Sequence, residues 1–259
     1  MQASARPPHD PRDERDAARA GQAAAGGSGK REYVREIFEQ IAPSYDLLNH
    51  LLSLNVDRAW RKRAIASLGW QRRPTGTYID LCAGTLDVAA ALVGTDGFSG
   101  RVVAADFAEA MLRAGREKVA PRAAFPVVAD ALRLPIEDST MAGAIVAFGA
   151  RNLADLDAGL REVLRVLEPG GRFVILEFTT PRDAIVRALY HLYFRRVLPL
   201  IGGAISGHRT AYRYLPESVA HFPAEEELAA RMRAAGFAAV SWRSLTVGIA
   251  AIHVGERPR

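Results

Sequence analysis

YIDLCAGTLDVAAAL, residues 78–92, is a short apolar run, then a small-residue turn at Ala83-Gly84-Thr85, then apolar residues at helical spacing. Strand, tight turn and helix in that order open the kind of α/β sheet that takes a nucleotide at its first turn. A dinucleotide loop would read G-x-G-x-x-G, and here only Gly84 is present. The missing glycines are the ones that let a backbone close on a pyrophosphate and a helix close on its strand. The turn therefore suits a ligand that has a ribose but no phosphate chain.

Downstream, strand and helix patterns alternate, as in βαβ units with a parallel sheet. After Tyr78 to Cys82, strands are expected at Arg101 to Phe107, Ala124 to Asp130 and Gly143 to Gly149. Leu156, Leu160, Val163, Leu164 and Leu167 then line one helical face, and Pro169-Gly170-Gly171 ends that helix and turns the chain. RFVILEF, residues 172–178, reads as a strand buried in mid-sheet. A helix from about Pro223 to Ala235 precedes two strands, near Ala239 to Thr246 and Ile249 to Gly255, close enough to form a hairpin. A parallel sheet ending in an antiparallel pair is the seven-stranded methyltransferase layout, not the all-parallel dinucleotide sheet.

Ligands of such sheets bind beyond the carboxyl ends of the strands, and several polar residues fall there. Asp80 stands inside the first strand, and Gly84 and Thr85 lie in the turn. Asp106 ends the second strand about 20 residues past the turn, the usual distance of an acid that grips ribose hydroxyls. Asp130, followed by Ala131, ends the third. S-adenosylmethionine asks for such a set: an acid at the ribose, a polar edge for adenine and a small-residue turn at the methionine part. Against this, strand-end acids also cap helices, so Asp106 and Asp130 have that alternative, and Asp80 could simply bond backbone amides.

The rest of the chain bounds the function. Its 259 residues suit one α/β domain, and a formal charge of +5 is too modest to mark a nucleic-acid binder. Cys82 is the single cysteine, so there is no internal disulfide and no thiolate metal cluster, which points to a reducing, cytoplasmic setting. Met1 to Arg31 lacks the apolar core of a secretory signal and reads as a disordered tail. Its AAAGGSGK is no P-loop, since no Ser or Thr follows Lys30. Residues 32–259 then read as the methyltransferase domain. Within it, residues 32–76 read as a helical lid, with an apolar stripe at Val34, Ile37, Phe38 and Ile41 and a break at Pro43. Residues 179–221 read as an insertion on the substrate side. The longest apolar run, from Val197, is too short to span a bilayer.

The chain strongly resembles the ubiquinone/menaquinone biosynthesis C-methyltransferases from about Val34 to Gly255. IAPSYDLLNHLLSLNVDRAWRK (41–62) and DALRLPIEDSTM (130–141) carry the likeness. YDLLN (45–49) and FGARN (148–152) are the group-specific signatures, whereas Pro169-Gly170-Gly171 is common to many methyltransferases. The resemblance implies a class I S-adenosylmethionine-dependent fold, a Rossmann-like seven-stranded sheet with an N-terminal helical lid. It also implies C-methylation of a polyprenylated quinol without a metal, and cofactor contacts at Thr85, Asp106, Asp130 and Ala131. Two positions depart from the family pattern. The usual GGTGD is Ala83-Gly84-Thr85-Leu86-Asp87, which puts leucine where a positive φ is wanted, and a frequent hydroxyl before FG is Ala147.

Methyl transfer to carbon needs an electron-rich ring held in line with the methyl, in a dry pocket. Arg151 is the candidate to stabilise a developing phenolate, with Asn152 to orient it; the alternative pairs Arg151 structurally with an acid such as Asp155. Asp46 is a candidate proton acceptor, and His208 and Tyr212 are others. Tyr45 and Asn49, from the lid, join His208 and Tyr212 at the substrate. The segment from Val186 to Gly203 mixes arginines with apolar residues. It suits a groove for the isoprenoid tail or peripheral contact with the inner membrane surface; packing on the sheet or in a homodimer is the alternative. Overall resemblance favours demethylmenaquinol over a polyprenyl benzoquinol, and both share these motifs. Another small phenol as acceptor and a non-catalytic assembly subunit are further readings. A nucleic-acid methyltransferase is disfavoured: no Asn- or Asp-Pro-Pro-aromatic turn follows the fourth strand, and no cysteine stands there.

Overall fold

The apolar runs after residue 76 become one seven-stranded sheet in the computed structural model, which describes residues 11–27, 29–46, 53, 55–120, 123–193 and 209–259. The strands are β1 Thr77–Leu81, β2 Arg101–Asp106, β3 Ala124–Val128, β4 Met141–Ala147, β5 Leu167–Phe178, β6 Ala238–Leu245 and β7 Ala250–Glu256. Their order is β3-β2-β1-β4-β5-β7-β6. Neighbours from β3 to β5 run parallel, and β7 lies antiparallel to both β5 and β6. This is the methyltransferase layout expected from the sequence.

Strand side chains alternate between two cores. In β5, Val174 and Leu176 face one core with Trp60 and Leu92, while Phe173 and Ile175 face the other with Leu160 and Leu228. In β4, Ile145 and its neighbours Ala144 and Val146 divide in the same way. Burial on both faces is why these strands read as unbroken apolar runs rather than as alternation.

Among the described residues the helices, in chain order, are α1 Pro11–Ala25, α2 Lys30–Ile41, α3 Val56–Ser67, α4 Asp87–Val93, α5 Glu109–Gly115, α6 Leu156–Val166, α7 Ala184–Leu192, α8 Arg209–Ala220 and α9 Glu225–Ala234. The break at Pro43 is a single 3-10 turn, Ala42–Ser44. Asp155 caps α6 by accepting from Ala158 N at 2.9 Å. Trp60 buries the inner face of the otherwise basic α3 against Phe148 and Phe178, and its indole N–H donates to Thr246 Oγ1 at 2.9 Å.

Two expectations need correction. The segment from Met1 to Arg31 is not wholly a disordered tail, because α1 occupies Pro11–Ala25 and α2 begins at Lys30. Ala20, Ala23 and Ala24 are buried there against Tyr33, Ile37, Tyr190 and Tyr214. Alanine has the best helix propensity, and a stripe of alanines at that spacing lets another helix approach closely even though the segment as a whole is polar. Likewise, Pro169-Gly170-Gly171 does not separate helix from strand. β5 already begins at Leu167 and pairs Leu167 with Met141 and Arg172 with Gly143, so the three residues form a bulge in which Gly170 adopts φ +75°.

Candidate active site

The loop after β1 is held by the acid that ends β2. Asp106 is buried; Gly84 N donates to its Oδ2 at 2.9 Å and Ala108 N to its Oδ1 at 2.8 Å. Burial raises the carboxyl's pKa, and the backbone bonds from Ala108, Gly84 and Phe107 oppose the shift. Of the four lone pairs on its two oxygens, three meet backbone N–H groups and one stays open for a ligand hydroxyl. Thr85 is also buried, and its carbonyl oxygen lies against α5 where a Cβ on Gly115 would meet it at 2.2 Å. Only glycine at 115 allows the loop this path.

Backbone strain gathers at the same edge. Cys82 after β1, Leu86 in the loop and Phe148 after β4 all have positive φ, at 51°, 65° and 62°. Leu86 thus takes the left-handed conformation that glycine would take in GGTGD, and it buries its side chain completely. A Cβ on Gly149 would fall 2.3 Å from Cys82 Cβ, so the glycine of FGARN lets the ends of β1 and β4 meet. Burial, then Asp106 and Asp80, push the Cys82 thiol well up, so it is no nucleophile at neutral pH.

Asp106, Asp130, Ala131 and Asn152 line one crevice together with Cys82 and Arg31. Asp130 Oδ1 accepts from Leu132 N at 2.9 Å, and its Oδ2 pairs with Arg31 Nε of α2 at 2.9 Å. Asn152 is buried, and its Oδ1 has no hydrogen-bond partner among the described residues. An orphaned acceptor beside a buried carboxylate fits a nucleoside's hydroxyls and amino group. Asp80, expected among the cofactor contacts, does not line this crevice. It is 1% exposed and accepts from Ala89 N of α4 at 3.1 Å, a strut behind the loop. Burial pushes its pKa to about 8.

Residues of the amino-terminal helices cross the same edge. Tyr45 lies over the loop, 3.9 Å from where a Gly84 Cβ would stand. Thr85 Oγ1 donates to Asp46 Oδ1, and Lys118 Nζ reaches Asp46 Oδ2 at 2.5 Å. Asp46 therefore meets the loop threonine and a lysine. Lys30 of α2 donates to Arg151 O at 2.8 Å; burial and then Arg151 lower its pKa to about 8.

Arg151 sits in a 3-10 turn, Ala150–Asn152, past β4 and is 9% exposed. Its partner is Glu177 of β5, not Asp155. Nη1 donates to Glu177 Oε1 at 2.7 Å and to Phe148 O, and Nε donates to Ser218 Oγ at 3.3 Å. Burial works against the guanidinium charge, but Glu177, with Tyr45 and Tyr214, holds the pKa above its ordinary value. The guanidinium lies 5.6 Å from the Phe178 ring centroid. Nη2 has no hydrogen-bond partner among the described residues, and neither has the buried Tyr214 hydroxyl, whose pKa burial raises. Two N–H groups and a phenol hydroxyl thus remain for a ligand inside an aromatic wall. Asn49 and His208 lie outside the described residues, and for Tyr212 only its place in α8 is described.

The ubiE/COQ5 methyltransferase family model matches residues 27–257. The chain belongs to the ubiE/COQ5 methyltransferase family. A demethylmenaquinone methyltransferase of Thermus thermophilus is 49% identical over 224 residues, 86% of this chain and 100% of that protein. A ubiquinone/menaquinone biosynthesis C-methyltransferase of Geobacter sulfurreducens is 45% identical over 232 residues, 88% of this chain and 90% of that one. The solved structure of an S-adenosylmethionine-dependent methyltransferase from Thermotoga maritima superposes with a TM-score of 0.61 at 18% identity, covering 86% of this chain and 98% of that one, a likeness of fold alone.

In this methyltransferase the residue that sequence reasoning missed is Glu177. It is 1% exposed, and it accepts from Arg151 N at 3.2 Å and from Phe178 N at 2.9 Å besides the guanidinium. The signal was present in RFVILEF: one acid at the carboxyl end of a run otherwise fit for burial. A carboxylate in such a place needs a cationic partner from another element.

Proposed function

We propose that this methyltransferase carries the methyl group of S-adenosylmethionine to a ring carbon of a polyprenylated quinol, with demethylmenaquinol as the acceptor. The names borne by the relatives at 49% and 45% identity support the acceptor class, and the first of them favours the naphthoquinol. The observation that carries the reading is Arg151, locked through Nη1 and Nε while Nη2 has no hydrogen-bond partner among the described residues, inside a wall that includes Phe178 and Tyr214.

S-adenosylmethionine, when bound, supplies a methyl on a cationic sulfur that loses its charge as the methyl leaves. Asp106 would hold the ribose while Asp130 and Asn152 receive the adenine end, with Thr85 and Gly84 at the methionine part. Arg151 Nη2 would hold a ring oxygen of the quinol and stabilise it as it becomes phenolate-like. Glu177 fixes the guanidinium beforehand, so no reorganisation is needed as that charge develops. The Arg151–Glu177 pair is also neutral as a unit, which keeps a bare cation away from the cationic donor. Tyr45, over the loop and near Arg151, would hold the ring between donor and guanidinium. A polyprenyl tail confines the acceptor to a bilayer, so the reading includes contact with a membrane surface. No helix among the described residues is long and apolar enough to cross one.

The test is transfer of labelled methyl from S-adenosylmethionine to short-chain demethylmenaquinol, run beside a short-chain demethylated benzoquinol. Preferential labelling of the naphthoquinol is expected, and labelling of neither would overturn the reading. Arg151→Ala should abolish transfer while cofactor affinity changes little; equal loss of both would make the residue structural.

A further inference from the structure

Helix α7 is apolar on two faces, and only one of them is covered. Asp183 caps it, its side chain accepting from Ile185 N at 3.0 Å and Val186 N at 2.9 Å. The inward face carries Val186 and Tyr190, with Tyr193 just past the helix end. Tyr190 is buried with Tyr33, Ile37 and Tyr214, close enough to Arg151 and Glu177 for both charges to act on its hydroxyl. Rotated about a third of a turn away, Ile185, Ala188, Leu189 and Leu192 recur at i, i+3, i+4 and i+7, the spacing of a single stripe. That stripe is open: Ile185 is 74% exposed, Leu189 62% and Leu192 53%. The described residues expose seven large apolar side chains, and three of them share this nine-residue helix.

Charge indicates what the stripe meets. Arg182, whose side chain is 76% exposed while its Nη2 lies 3.5 Å from Glu225 Oε2, stands just before the helix; Arg187 is exposed on the helix, turned away from the stripe; and the one acid on this stretch, Asp183, is engaged as the cap. The sequence continues into Arg195 and Arg196 and then VLPLIGG. Apolar residues at helical spacing with an arginine flank match an anionic lipid surface, where the stripe enters the acyl boundary and the arginines meet headgroups. A second copy packed about a two-fold axis would instead set these arginines against one another.

We propose that α7 is the element by which the protein rests on an anionic bilayer, stripe down, with Tyr190 on the inward face of the same helix beside the Arg151 site. A quinol head leaving the lipid would then have one helix thickness to cross while its tail stays in the acyl layer. This rests on the proposed polyprenylated acceptor.

The test uses the full chain. Wild type and the variant Ile185→Ser/Leu189→Ser/Leu192→Ser are sedimented with vesicles of equal parts phosphatidylglycerol and phosphatidylcholine, and with phosphatidylcholine alone. All three positions are exposed, so the fold should survive, and unchanged methyl transfer to a water-soluble short-chain quinol checks it. Wild type should bind the anionic vesicles, and the variant at least about tenfold less. Arg182→Gln/Arg187→Gln should lose the preference for anionic lipid. Transfer to a long-chain quinol embedded in vesicles should fall in both variants. Vesicle binding equal in wild type and the serine variant, or none in wild type, would overturn the proposal. So would a wild-type dimer that the serine variant abolishes without loss of vesicle binding, which would make the stripe an interface between copies. Failure of short-chain transfer in wild type would strike the functional reading and leave the vesicle result to stand by itself.

Discussion

Glu177 holds both ends of Arg151: Oε2 accepts from its backbone N–H at 3.2 Å while Oε1 accepts from its guanidinium at 2.7 Å. One buried carboxylate thereby fixes the turn that follows β4 and the direction of the side chain it carries. Removing either partner leaves an uncompensated buried charge, so Glu177→Gln and Arg151→Met should each destabilise by about 3–5 kcal/mol. The double replacement Arg151→Met/Glu177→Gln, which keeps an acceptor for the Arg151 and Phe178 N–H groups, should recover part of that loss in denaturant unfolding and still transfer no methyl. Activity in the double variant would show that the pair serves the fold alone.

Asp106 supports the loop through Gly84 N and, in the proposed function, receives ribose hydroxyls. Asp106→Asn keeps the shape, removes the charge that strengthens those bonds and turns a donor toward the N–H of Gly84 or Ala108. A loss of about 1.5–3 kcal/mol corresponds to a cofactor Kd raised roughly tenfold to a hundredfold. Isothermal titration measures it, and an unchanged Kd would place the ribose elsewhere.

Leu86 sets two effects against each other. Its left-handed backbone costs about 1–2 kcal/mol relative to an ordinary conformation. Its buried side chain contributes more, since emptying such a site costs about 2–5 kcal/mol. Leu86→Gly should therefore lower the melting temperature although it restores the residue that suits the backbone. A higher Tm would mean that strain dominates.

Asp80 gives a pH signature. Its folded pKa, pushed by burial to about 8, lies above the unfolded value of 3.8, so the folded state keeps a proton that the unfolded chain loses. Its contribution to stability is complete below pH 3.8 and is lost as pH rises through about 8. Arg61, Asp87 and Asp106 are the charges acting on it. Asp80→Asn should flatten the fall in unfolding free energy between those limits. A wild-type profile already flat there would show the carboxyl ionised throughout.

The sheet was legible because burial on both faces demands unbroken apolar runs, and RFVILEF and the residues of β4 obey that demand. The crevice was legible too, since Asp106, Asp130 and Ala131 follow directly from strand ends. What escaped depends on partners distant in sequence. Arg151 pairs with Glu177, 26 residues away, rather than with the nearby Asp155. Asp80 reads like any strand acid until α4 is seen to lie on it. The alanines of α1 carry no signal alone and become buried only once Tyr190 and Tyr214 arrive from beyond the sheet.

Arg31 engages Asp130, Lys30 engages the carbonyl of Arg151, and Asp46 engages Thr85. All three ties reach residues to which the proposed function gives the donor or the acceptor. In that reading substrates and the amino-terminal helices would compete for the same anchors, and each turnover would include an exchange of tenants at those positions. Departure of spent donor would then wait on the amino-terminal helices, making their opening a natural pacemaker for turnover.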